Sequence, residues 1–374
     1  MRSAQFVIVG AGFAGAATAY NLARQGARDI LVAEQERVAG YHASGRNASL
    51  IRQVIADENT MALAVEGAAF LRRLPEDWPV PVSYEQNGSM LLGSGEAWKE
   101  LERDAAHADR MKVKVELLSA QEAKARIAVL DGARFDGALW CPTDGVVDIH
   151  ALLSGYLKAA SSLGVEIRYG CRVRAIDQQD GRIARVLLED DWVAVEVLVN
   201  AAGAWSGAIG NLAGGARIGL RPLRRHLFVT GPLPWVDRRW PFIWDVSHGF
   251  YFRPDSGGLL LCACDEAEMP PGDTPPVESA LELLAEKARN YFPQFADLPI
   301  MKSWAGLRTF APDGRFVIGW DAGVRGLFWV AGLGGHGVTT SSAVGALAAK
   351  LLVGGNARRA EALSPARFVQ GTEA

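Results

Sequence analysis

The chain has only four cysteines and six histidines in 374 residues, and they are scattered. Cys141, Cys171, Cys262 and Cys264 show none of the paired spacings that hold zinc or an iron–sulfur cluster, so no metal centre is expected. Cys262 and Cys264 sit in a strand-like run, where alternation would place both on one face. No uninterrupted run of about 20 apolar residues occurs, which leaves no transmembrane helix. A formal charge of −3 and a pI near 6.1 supply no broad basic surface, so nucleic acid is not an expected partner. The apolar start FVIVGAGFAGAATA, with Arg2 before it, has the outline of a signal peptide, but it is dense in glycine and lacks a leucine-rich core. A cytoplasmic location is therefore expected. The 49% hydrophobic content is ample for burial, and a chain of this length is expected to form two domains or lobes.

The first 34 residues carry the strongest signal. VIVGAGFAGAATAYNLARQG reads as a buried strand, a glycine turn through Phe13 and Ala14, and a small-residue helix. Gly10 permits the tight turn, Gly12 lets a pyrophosphate approach the backbone, and Gly15 lets the helix lie close to the sheet. The helix start offers unpaired amides to phosphate. Glu34 ends the next strand, ILVAE, where a carboxylate suits ribose hydroxyls and disfavours a 2′-phosphate; FAD or NAD fits better than NADP.

Further along, helical spacing covers Glu58–Leu74 and Glu96–Arg110, with a short helix beginning near Ser119 or Ala120. DIHALLSGYLKAASSLG has an aspartate cap and helical spacing. Alternating strands follow around the Asp180-Gly181 turn, and a buried strand ends at Asn200. The last core unit, GLFWVAGLGGHGVTTSSAVGALAAKLLVG, repeats the order strand, glycine turn, helix.

These segments, taken with GYHASGRNAS, PTDGVVDIHALLSGYL, VNAAGAW, RPLRR, FYFRPD and WAGLRTFAPDG, resemble the FAD-dependent D-amino-acid oxidase and dehydrogenase superfamily across almost the whole chain. Within it the chain looks most similar to bacterial D-arginine dehydrogenase-like proteins. The resemblance implies an α/β fold: a Rossmann-type FAD-binding domain and a second α+β substrate domain on a large, mostly antiparallel sheet. The FAD-binding parts are expected at 1–80, 143–220 and 304–374, and the substrate-domain parts at 81–142 and 221–303. Monomeric sarcosine oxidases attach FAD through a cysteine near the C-terminus; here every cysteine lies at or before Cys264, so noncovalent FAD is expected.

The resemblance also assigns positions. It brings Gly10, Gly12, Phe13, Ala14, Gly15 and Glu34 to the diphosphate and ribose, and Ser44, Gly45 and Arg46 along the diphosphate and ribityl chain. Val173 is the adenine-side contact, although a valine there is equally explicable as core. Ala202 and Gly203 let the backbone pass the cofactor. Gly334, Gly335, His336 and Gly337 reach the flavin ring, with Thr339 and Thr340 as helix caps or flavin contacts. Amides and a helix dipole there would stabilise charge at flavin N1. A lone histidine is more often structural, so His336 is not assigned as a base.

At the substrate end, Arg308 is placed as the clamp on an amino-acid carboxylate, with Arg225 nearby and Tyr251 as a phenol donor. Leu50, Ile55 and Ser89 stand where D-arginine dehydrogenases carry histidine, tyrosine and glutamate, so the pocket is expected to favour neutral or hydrophobic D-amino acids. The implied reaction is hydride transfer from the α-carbon to flavin N5, followed by imine hydrolysis to a 2-oxo acid and ammonia. The competing reading is a glycine, sarcosine or other secondary-amine oxidase; a tRNA-modification or noncatalytic flavoprotein is remote. The expected partners are a small amino acid or amine and an electron acceptor, whether a quinone, another carrier or dioxygen. A quinone acceptor would bring the protein to the membrane periphery. Neither the acceptor nor the oligomeric state is legible in the sequence.

Overall fold

The computed structural model describes residues 2–369. Its architecture is α/β, with a Rossmann-like sheet and a second, mixed α+β unit. The first strand, Arg2–Val9, is central to the eight-stranded sheet and pairs in parallel with Ile30–Ala33 on one side and Asp191–Asn200 on the other. Continuous apolar runs such as FVIV and ILVA suit strands covered on both faces. The strand Asp191–Asn200 is shared on its far side. Its first half pairs with Arg182–Leu188, and its end pairs in parallel with Leu327–Ala331. The Asp180-Gly181 turn forms as expected, with both residues at positive φ (51° and 70°).

Small residues let helices close on this sheet. Helix Phe13–Arg24 packs against helix Ser341–Leu352, where a Cβ at Gly345 would strike the Ala17 carbonyl. A Cβ at Gly15 would strike the Gly10 carbonyl, which explains the third glycine of the motif as a packing requirement.

The second unit is a nine-stranded sheet, antiparallel except where Phe242–Asp245 runs parallel to Ser89–Gly93. Its longest pairing joins Arg221–Thr230 to Ile300–Phe310. That second strand runs through the boundary expected at 303/304, because its whole length is needed to register against its partner. One face, with Phe228, Phe250, Phe252 and Leu261, packs against helix Glu278–Tyr291 and the aromatic pair Phe292 and Phe295. Its opposite face is turned toward the nucleotide sheet. A three-stranded layer of Leu50–Ile51, Gly145–Val147 and Tyr84–Glu85 lies at the junction. Among the described residues, no helix is long and apolar enough to cross a membrane.

Candidate active site

A cavity of about 740 Å³ joins the two sheets, well within the roughly 300–1,000 Å³ usual for small-molecule sites. One end is the glycine loop. At Gly10, φ is +102° and an added Cβ would lie 2.7 Å from the Ala201 carbonyl; at Gly12 it would lie 2.8 Å from Ser44 Oγ. The Ser44 hydroxyl accepts from the Phe13 amide at 3.0 Å, so the 40–47 loop is tied to the helix start. Glu34 accepts from the Ala11 and Glu36 amides at 2.8 and 2.9 Å. These bonds hold its carboxylate at the strand end and leave acceptor capacity for ribose hydroxyls. A cradle closed to any side chain, a helix start with no side chain at its N-cap and a fixed carboxylate fit the dinucleotide half of FAD.

The other end is built by strand register. Leu223 pairs with Arg308 and Arg225 with Gly306, so the period-two alternation puts Arg225 and Arg308 on one face. The same alternation carries Leu227 on that face, and the pairs Tyr251–Cys262 and Trp244–Tyr251 complete it. Tyr251 is 1% exposed, and burial followed by the Cys262 sulfur pushes its phenol well above its usual range, keeping the proton on oxygen. Arg225 donates to the Asp265 carbonyl at 2.9 Å and pairs with Glu266 at 2.5 Å. Its charge is thereby compensated. Arg308 lies along the glycine turn, its Nε 2.9 Å from where a Gly335 Cβ would stand.

His336 lines the cavity beside these cations. Burial first, then Arg52 and Arg308, lower its affinity for protons to about 3, so the ring is neutral at physiological pH. The next helix is not capped as expected: Thr340 makes no side-chain cap and donates instead to the His336 carbonyl at 2.9 Å, and Thr339 donates to Leu50 O at 3.3 Å. Both hydroxyls brace the turn rather than the helix start. Cys264 also departs from expectation. It leaves the strand with φ +53° and donates its amide to Cys262 Sγ at 3.3 Å.

The cavity wall contains Gly10, Gly12, Phe13, Ala14, Glu34, Ser44, Arg46, Val173, Ala202 and Gly203 toward the nucleotide sheet. It contains Leu50, Arg225, Tyr251, Arg308, Gly334, Gly335, His336, Gly337 and Thr339 toward the second sheet. Gly15, Gly45 and Thr340 lie behind it as close-packing or bracing residues. Ile55 and Ser89 are not on it either. Ile55 is in the core beneath, and Ser89 is bonded to Asp144. Arg46 reaches across the junction to Asp273 at 2.7 Å, tying the two units together.

Sequence reasoning missed Arg52 and Trp244. The Arg52 guanidinium lies 4.9 Å from the Trp244 ring centroid, and both line the cavity. The only local signal for Arg52 is a lone cation in the apolar run SLIRQVI.

The family described as FAD dependent oxidoreductase (DAO) matches residues 5–351. FAD-dependent oxidoreductase domain-containing protein 1 of Bos taurus is 26% identical over 98% of this chain and 85% of its own length. The 4-methylaminobutanoate oxidase (formaldehyde-forming) of Paenarthrobacter nicotinovorans is 26% identical over 93% of this chain, which spans only 43% of that protein. Among solved structures, L-proline dehydrogenase from P. horikoshii superposes with a TM-score of 0.89 at 24% identity, covering 98% of both chains. Glycine oxidase from Geobacillus kaustophilus superposes with a TM-score of 0.82 at 23% identity over 100% of both. The finer resemblance to D-arginine dehydrogenases has no counterpart in these names.

Proposed function

This chain belongs to the DAO family of FAD-dependent oxidoreductases and uses FAD noncovalently; from that premise we propose that it oxidises the C–N bond of a glycine-type or N-substituted amino acid. The observation that carries this reading is the make-up of the substrate end. An unshared guanidinium, Arg308, shares its end of the cavity with Leu50, Leu227, Trp244 and Tyr251, and the acid that lines that end, Glu266, is already engaged by Arg225. A carboxylate has an anchor; a cationic side chain has none. A neutral secondary amine has fewer N–H groups to satisfy than a primary one, and its substituent suits an apolar wall. The relatives named for a methylamino acid, proline and glycine support the same class, and support it better than primary D-amino acids.

Bound FAD supplies the two-electron acceptor. Arg308 would hold the carboxylate and so orient the adjacent C–H bond. Arg308 disfavours an ammonium nearby, which keeps the amine neutral with its lone pair free. Neutral His336 leaves that effect to the guanidinium, and protonated Tyr251 donates a hydrogen bond without taking up a proton. The imine formed by loss of two electrons and two protons would add water and split into a carbonyl compound and an amine.

The test is anaerobic flavin bleaching with glycine, sarcosine, L-proline and both alanine enantiomers. Fastest bleaching by sarcosine or proline supports the reading. Fastest bleaching by D-alanine returns the function to D-amino acids.

A further inference from the structure

Four arginines besides Arg308 reach the cavity, and they differ in how their charge is met. Arg46 is paired with Asp273 at 2.7 Å and Arg225 with Glu266 at 2.5 Å, while Arg172 is solvent-exposed near Val173. Arg52 has no such relief. Its Nε donates to the Val54 carbonyl at 2.8 Å, and among the described residues its two terminal nitrogens have no hydrogen-bond partner and no carboxylate within ion-pair distance. Asp144 and Asp104 are the acids whose charge favours its own. Asp144 is committed to Gln53 and Ser89. Burial opposes the Arg52 charge most, and Arg308 adds to that opposition. Arg52 is half-buried and lines the cavity, and a partly desolvated cation without a partner there suits an anion.

Its place separates it from the other carboxylate anchor. Arg308 packs on Gly335, whereas the Arg52 amide donates to Thr339 Oγ1 at 3.3 Å, so the two guanidinium-bearing residues touch opposite ends of one turn, with His336 between in sequence. Arg52 also lies against Trp244, which packs on Tyr251 with ring centroids 4.8 Å apart. That is the wall of the second sheet, away from the glycine loop that cradles the dinucleotide.

We propose that the substrate carries two carboxylates, one held by Arg308 and the second by Arg52. This deepens the reading of the site as an amino-acid oxidising centre and rests on it. The second carboxylate belongs either to the nitrogen substituent or to the side chain, and one panel distinguishes the two.

Holoenzyme is mixed anaerobically with iminodiacetate, its half-amide, N-methylaspartate, sarcosine, D-aspartate and D-alanine. The better of iminodiacetate and N-methylaspartate should exceed the neutral half-amide in reduction rate over Kd by about 10- to 100-fold, as expected of a charge-assisted contact. Which of the two wins locates the second carboxylate. Arg52→Met should erase that preference while sarcosine still bleaches the flavin, and Arg52→Lys should keep part of it. Diglycolate, a dianion with no amine, should quench tryptophan fluorescence in the wild type at lower concentration than methoxyacetate, a readout independent of turnover and of any variant's folding. Equal use of diacid and half-amide overturns the proposal. So does an equal loss for sarcosine and diacid in Arg52→Met, which would assign Arg52 to the shared carboxylate or the cofactor. If D-aspartate outpaces D-alanine while no N-substituted amino acid reacts, the second carboxylate stands and the secondary-amine reading falls.

Discussion

The Ser89 hydroxyl donates to the Asp144 carboxylate across 2.7 Å, and both side chains are sealed from solvent. Asp144 also accepts from the Gln53 amide at 3.0 Å and from its side chain at 2.9 Å, so this buried carboxyl fixes the residue next to Arg52. Burial raises its pKa, and these donors limit the rise. Ser89→Ala leaves a buried acceptor short of one partner and should cost about 1–3 kcal/mol in urea unfolding. Substrate preference should be unchanged. A Ser89→Ala enzyme with unaltered stability and a new preference would place Ser89 in the pocket after all.

His336 predicts an acid-side loss of stability. Its folded pKa of about 3 is below its ordinary value of 6.5, so the unfolded chain binds the proton first. The contribution is present above pH 6.5 and is lost as pH falls through the window down to about 3. His336→Gln has no such group, so its Tm should fall less than that of the wild type between pH 7.5 and 4.5. Parallel Tm curves would show that the ring is not held neutral.

Arg308→Met should raise the Kd of the amino acid, read from the concentration dependence of flavin bleaching, by roughly 10- to 150-fold, the value of a lost charge-assisted contact of about 1.5–3 kcal/mol. Arg308→Lys should recover only part, because an ammonium cannot make the paired fork contact. Full recovery by lysine would mean that only charge is required there.

Glu34→Ala should lower the fraction of protein purified with FAD, because it removes both the ribose acceptor and the tether on the Ala11 and Glu36 amides. Gly10→Ala should be worse. Its positive φ and the Ala201 carbonyl leave no place for a methyl group, so loss of the folded protein is expected, read as a lowered Tm and a smaller yellow fraction.

The nucleotide half was legible because its requirements are local. A glycine at Gly10, a close helix at Gly15 and a carboxylate at Glu34 are each dictated within one strand–turn–helix unit. The helix Glu96–Arg110 was legible from spacing alone. Much of the substrate end depends on partners far away in the chain. Arg52 meets Trp244 across 192 positions, and Ser89 finds Asp144 on a different layer, so no spacing rule could reveal either. The Thr340 hydroxyl fails as a cap because its backbone is already helical, with φ −91° and ψ −3°, rather than extended, and the side chain turns back to the His336 carbonyl.

The strand Asp191–Asn200 carries a consequence for synthesis. Its far edge stays half unpaired until Leu327–Ala331 arrives, and helix Phe13–Arg24 waits for Ser341–Leu352 to cover its small-residue face. A nascent chain must therefore carry an open edge for about 130 residues of translation and a bare helix for more than about 300. A cofactor in the cavity cannot help early, since the His336 turn that lines it is made only after Leu327–Ala331. Ribosome-bound intermediates of this protein should depend on chaperones, and premature termination should yield aggregates rather than a smaller soluble flavoprotein.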